Sequence, residues 1–105
     1  MGDTSYPIDM DQECVRICNA LNALPDINTI SSCCGHNKQP FRVFFTAHTI
    51  EALRPILRCV VNSGWSVECY WADGSDVIYF MLEGVRDLRC GDIFATWLLE
   101  DHAHD

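Results

Sequence analysis

Apolar residues recur at intervals of three and four from Asp9 to Leu24, at Cys14, Ile17, Cys18, Leu21 and Leu24. That spacing predicts a helix with one buried face, capped at its start by Asp9 or Asp11 and stopped by Pro25-Asp26. The period then changes to two. Ile27, Thr29, Ser31 and Cys33 alternate with Asn28, Ile30 and Ser32, which predicts a strand with each set on its own face. Cys34 to Pro40 reads as a loop, and Phe41 to Thr46 as a second strand rich in aromatic and β-branched residues. A second helical period runs from Thr49 to Ser63, with Leu53, Ile56, Leu57, Val60 and Val61 as its buried stripe and Gly64 as its C-terminal cap. Pro55 should end the first turn of that helix or kink it. Trp65 to Ala72 and Asp76 to Glu83 form a hairpin about an Asp73-Gly74 turn. A last helix starts at Asp87 or Asp92, reaches about His102, and has Phe94, Trp97 and Leu98 on its apolar side.

The order is α-β-β-α-β-β-α, an α+β pattern, and its halves resemble each other. ECVRICNALNALPDINTIS lies over EALRPILRCVVNSGWSVEC without a gap, with Glu, Arg and apolar positions coinciding. The expected solid is one four-stranded sheet with helices packed on it. The third helix has no counterpart in the pseudo-repeat, so it covers an edge, the other sheet face or a partner subunit.

At 105 residues, one domain spanning 1–105 is expected, with residues 1–8 and 103–105 as flexible ends. A hydrophobic content of 49% suffices for a core. A net charge of −8 with scattered basic residues excludes electrostatic gripping of a nucleic-acid backbone. No apolar run approaches the ~18 residues a membrane span needs, and the N-terminus does not read as a signal peptide. The expected location is the cytoplasm. Seven cysteines in that setting point to free thiols, most of them buried as small apolar residues.

Chemistry concentrates in the first hairpin loop, within ISSCCGHNKQPFRVFF. As metal ligands, Cys33, Cys34 and His36 lack the two-residue gaps of structural zinc sites, and adjacent strand residues point to opposite faces. Metal ligation is therefore set aside, with Cys14 and Cys18 assigned to the core and Cys33 half-buried. As a nucleophile, Cys34 beside His36 and Lys38 could carry a depressed pKa, but neither an oxyanion hole nor an orienting third group is evident. No residue is assigned as catalytic. A binding pocket accounts for more of the pattern. Ser31 and Ser32 offer hydroxyls, and Gly35 lets main-chain N–H groups approach an anion. His36, Lys38 and Arg42 add positive charge, while Cys33 and Cys34 complete the lining. Among the aromatic candidates for stacking on a base (Phe41, Trp65, Tyr70, Trp71 and Tyr79), Trp71 is preferred. Phe44, Phe45 and Phe80 read as ordinary sheet packing.

The run PDINTISSCCGH followed by an aromatic strand resembles the wybutosine-synthesising tRNA methyltransferase family. Ser31, Ser32, Cys33 and Gly35 match that family's Thr-Ser-Ser-Cys-Ser-Gly-Arg motif, with Cys34 in place of Ser and His36 in place of Arg. The resemblance implies an S-adenosylmethionine-dependent enzyme acting on a modified guanosine in tRNA. The Ser-Cys-Cys-Gly-His form is also similar to short uncharacterised proteins of bacteria and their phages. Three functions follow as expectations. The first is a non-catalytic binding protein for a small anionic, nucleotide-derived ligand, such as a phage protein sequestering a host nucleotide signal. The second is the methyltransferase-like enzyme with its cofactor. The third is an acidic protein-interaction module inhibiting a host factor. A homodimer or larger assembly is expected to cover the apolar sheet face.

Overall fold

The computed structural model describes residues 11–61, 63–71 and 78–103. Three helices, α1 (Gln12–Asn22), α2 (Arg54–Val60) and α3 (Cys90–Ala103), accompany four strands, β1 (Ile27–Cys33), β2 (Arg42–Ala47), β3 (Ser66–Trp71) and β4 (Ile78–Glu83). The strands form one antiparallel sheet in the order β1-β2-β4-β3. The α+β order α-β-β-α-β-β-α is as expected. The Asp73-Gly74 turn lies outside the described residues, as do residues 1–10 and 104–105.

The two halves carry the same elements at the positions the sequence aligns. When Glu13 is laid on Glu51, α1 falls on a 3-10 turn (Glu51–Leu53) plus α2, and β1 falls on β3. Pro55 explains why the second helix begins as two pieces. It occupies the first turn of α2, where a missing N–H costs nothing. That helix is shorter than Thr49 to Ser63, and its stripe is narrower than the spacing implies. Ile56 is buried, Leu53 and Val60 are partly so, but Leu57 and Val61 are 44% and 67% exposed. The cause is position: α2 packs chiefly against α3 and the edge strand β3, so one line of side chains suffices.

α1 packs over β1, α2 against β3, and α3 lies against both α1 and α2. The helix without a repeat counterpart thus fills the groove between the other two. Ile17, Leu21, Phe94 and Leu98 from the helices meet Val43, Phe45 and Leu82 from the central strands in one core. Phe45 and Phe80 stack across β2 and β4 with centroids 5.5 Å apart. Phe41, Trp65 and Phe94 continue the core past the sheet end, with centroid separations of 6.0 and 4.6 Å.

Period-two alternation leaves the other sheet face to Arg42, Phe44 and Thr46 of β2, Tyr79, Met81 and Glu83 of β4, and Ser66, Glu68 and Tyr70 of β3. Among the described residues no helix packs on that face. β1 departs from simple alternation. A bulge between Thr29 and Ser31 leaves Ile30 as the extra residue, 51% exposed. Beyond it the faces exchange: Ser31 pairs with Phe44, Ser32 with Val43 and Cys33 with Arg42. Ser31 and Cys33 therefore share a face with Asn28, and not with Ile27 and Thr29 as strict alternation would have them.

Candidate functional site

The bend after β1 is built from the start of α1. Asp11 heads that helix, yet its carboxylate makes no bond to the helix's own N–H groups. It accepts the N–H of Cys34 at 3.1 Å instead, a charge-assisted bond that ties the strand end to the helix start. This bond holds the Asp11 carboxyl below its ordinary range, and the positive character of His36 adds to the effect. Gly35, His36 and Asn37 then all take left-handed conformations, with φ of 79°, 52° and 64°. Gly35 must be glycine for a second reason, since a Cβ there would stand 2.9 Å from the Pro40 carbonyl oxygen. Its own carbonyl accepts the N–H groups of Lys38 and Gln39 at 2.9 and 3.0 Å. Asn37 Oδ1 accepts the Leu88 N–H at 3.3 Å, and Phe41 exchanges main-chain bonds with Val85 and Gly84. Most of the bend's main chain is thus committed inside the fold. The N–H groups of Cys34, Gly35, Lys38 and Gln39 serve the bend itself and do not form the expected anion cradle.

Two non-glycine residues in succession at positive φ are costly, and such strain concentrates where a side chain must be aimed. The first of the two is His36. Its Nδ1 lies 3.5 Å from Cys34 Sγ and its Nε2 lies 3.8 Å from Asp11 Oδ2. Cys33, at the end of β1, receives the Gly35 N–H on its sulfur at 3.4 Å. One donor atom from each of Asp11, Cys33 and His36 lies within 4.8 Å of the others. Cys33 and His36 are exposed and Asp11 is partly so, placing the trio at the surface on the outer corner of the sheet.

The structure separates the residues that the sequence placed together. Ser31 is exposed on the helix-free face beside Phe44. Ser32 turns inward, with its hydroxyl against the thiols of Cys14 and Cys18 and without a hydrogen bond that meets normal geometry. Cys34 is 1% exposed, and burial pushes its pKa up, the opposite of what an activated thiolate needs. Cys33 is exposed where half-burial was expected, because the bulge turned it outward. Lys38 is exposed on the bend. Arg42 faces Cys33 across the β1–β2 pair, and its Nε donates to Glu83 Oε2 at 2.8 Å. Glu83 holds the guanidinium firmly protonated. Trp71 sits at the far end of β3 from Ser66, whose row carries Glu83, Arg42 and Cys33, about 16 Å along the strand at ~3.3 Å per residue. Of the aromatic candidates, Phe41 and Trp65 are core residues at 0% and 6% exposure. Tyr70 and Tyr79 stand opposite each other on the helix-free face, joined there by Phe44, which sequence reasoning had assigned to ordinary packing. Tyr70 Oη donates to Glu68 Oε1 at 2.6 Å, which raises its pKa and keeps it protonated.

Sequence reasoning passed over Asp11 as a site residue. Its only signal was a helix-cap position, and nothing local announces that a cap will face another segment's loop. No family model, curated protein or solved structure matches the chain.

Proposed function

We propose that the chain is a small non-enzymatic binding protein whose ligand is a planar anion, nucleotide-derived in chemistry, held on the helix-free sheet face beside the bend. The observation that carries this reading is the row-by-row composition of that face. Arg42 stands one row from Phe44 and two from the Tyr79–Tyr70 pair, all on the same side of the central strands. A guanidinium near aromatic faces suits a molecule that joins a phosphate or carboxylate to a flat ring. Arg42 gives Glu83 a single-point contact through Nε, so its terminal nitrogens remain to bond an anion. Ser31 adds a hydroxyl on the same face, and the exposed Lys38 adds a positive charge on the bend that follows β1.

The test is isothermal calorimetry with ADP-ribose-type compounds and cyclic nucleotides, followed by mass spectrometry of the recovered ligand. Saturable binding with an unchanged ligand is expected. Arg42→Ala should weaken it by about 10- to 100-fold, the value of a charge-assisted bond of ~1.5–3 kcal/mol. No heat with any of these compounds overturns the reading, and turnover of the ligand replaces it with an enzyme. Consumption of S-adenosylmethionine in the presence of RNA is the specific sign of the methyltransferase-like alternative.

A further inference from the structure

We propose that Asp11, Cys33 and His36 form a zinc-binding site at the outer corner of the sheet, with a fourth position open to solvent. The inference stands on the cluster's geometry and goes beyond anion binding on the sheet face.

Three points carry it. First, the donor set is one carboxylate, one thiol and one imidazole, a combination that suits Zn²⁺ and is poor for Mg²⁺ or Ca²⁺, which demand oxygen. Second, the donors are already gathered within 4.8 Å of one another. Tetrahedral zinc with bonds of about 2.0–2.3 Å holds its ligands ~3.3–3.7 Å apart, so an exposed His36 ring and Cys33 thiol need only a small contraction. Third, the surroundings orient the donors as outer partners of a metal site do. Cys34 Sγ faces His36 Nδ1 at 3.5 Å, which leaves Nε2 turned toward Asp11. The Cys34 N–H donates to Asp11 Oδ2 at 3.1 Å and fixes the carboxylate, and the Gly35 N–H donates to Cys33 Sγ at 3.4 Å and fixes the sulfur.

Binding replaces the Cys33 thiol proton by the metal, so one proton is released to solvent per ion from that group. With three protein ligands, the fourth position takes water or an external donor, as in an open zinc centre.

The experiment is titration of the reduced full chain with Zn²⁺ against a chromophoric chelator, with Co²⁺ as a spectroscopic probe. One ion per chain is expected, and the Co²⁺ form should show thiolate-to-metal charge transfer and tetrahedral d–d bands. Cys33→Ser should remove the charge-transfer band and weaken Zn²⁺ binding by about 100-fold. His36→Asn, which tolerates the left-handed backbone, should weaken it by at least about 10-fold with the circular dichroism unchanged. Cys69→Ser, a change to another exposed thiol, should alter neither reading. Arg42→Ala should leave Zn²⁺ binding intact, so this site and the anion reading fail separately. Absence of 1:1 binding, equal affinity in wild type and Cys33→Ser, or preference for Ca²⁺ or Mg²⁺ over Zn²⁺ overturns the proposal.

Discussion

Replacing Gly91 by alanine separates local propensity from packing. Gly91 lies in the first turn of α3, and alanine there improves helix propensity by at most ~1 kcal/mol. The structure opposes that gain. A Cβ at position 91 would stand 2.5 Å from Phe41 Cζ, 3.0 Å from Cε2 and 3.1 Å from the Glu13 carbonyl oxygen. The Glu13 oxygen belongs to α1, so the added methyl wedges against a second helix as well as a ring. Phe41 is fully buried and packed on Trp65, which in turn packs on Phe94, so the ring cannot swing into open space. Overpacking of this kind costs about 1–3 kcal/mol, and a ring blocked on both sides belongs near the upper end. After the propensity gain is subtracted, a net loss of about 1–2 kcal/mol remains, or a fall in Tm of roughly 5–12 °C for a domain of this size. Urea denaturation of Gly91→Ala measures it. Phe41→Leu, which removes Cζ, should cost less in the Gly91→Ala background than alone, with a coupling of about 1 kcal/mol in a double-mutant cycle. An unchanged or raised stability in Gly91→Ala, or additive behaviour of the pair, would refute the packing argument.

The remaining predictions concern the thiols and one serine. Timed alkylation of the native protein should modify Cys33 and Cys69 first and Cys14, Cys18, Cys34 and Cys90 only on unfolding, as read by mass spectrometry; early labelling of Cys14 or Cys18 would contradict their burial. Burial pushes the Cys14 pKa up to about 12 and raises that of Cys18, so the folded state keeps protons that the unfolded chain loses above its ordinary thiol range near 9. Stability is therefore full below about pH 9 and falls above it, by up to about 1.4 kcal/mol per pH unit for each such thiol. Denaturant midpoints flat from about pH 8 to pH 11 would count against this. Ser32→Ala deletes a buried hydroxyl without a proper hydrogen bond, so it should change stability by less than about 0.5 kcal/mol or raise it. A loss above about 1.5 kcal/mol would show that the hydroxyl binds the Cys14 and Cys18 thiols more tightly than its geometry indicates.

Local signals carried most of the architecture. The three-and-four spacing of Cys14, Ile17, Cys18 and Leu21 marked α1, and all four are buried. The repeat of Glu13 to Ser31 in Glu51 to Cys69 anticipated two similar halves, which became α1-β1 and α2-β3 at the outer edges of the sheet. Such features depend on residues close along the chain, where a period of two or 3.6 already decides which side turns inward.

The site followed different rules. Reading β1 by strict alternation put Ser31 on the face of Ile27, because an inserted bulge residue has no signature in a run such as NTISSC and reverses every side chain after it. The bulge, and not the cysteine spacing, decides that Cys33 is outside and Ser32 inside. Asp11 reached the bend only because α1 packs over β1, which brings a helix cap to a strand end from a distant part of the chain. Trp71 was separated from the bend by strand direction, which no local pattern records. Which elements exist in this protein, and their order, was therefore determined by the sequence alone, since those choices are made between neighbours. Which polar side chains meet was decided only by tertiary structure, through a bulge, a helix packed over an edge strand and the direction of β3, each joining groups that the chain holds apart.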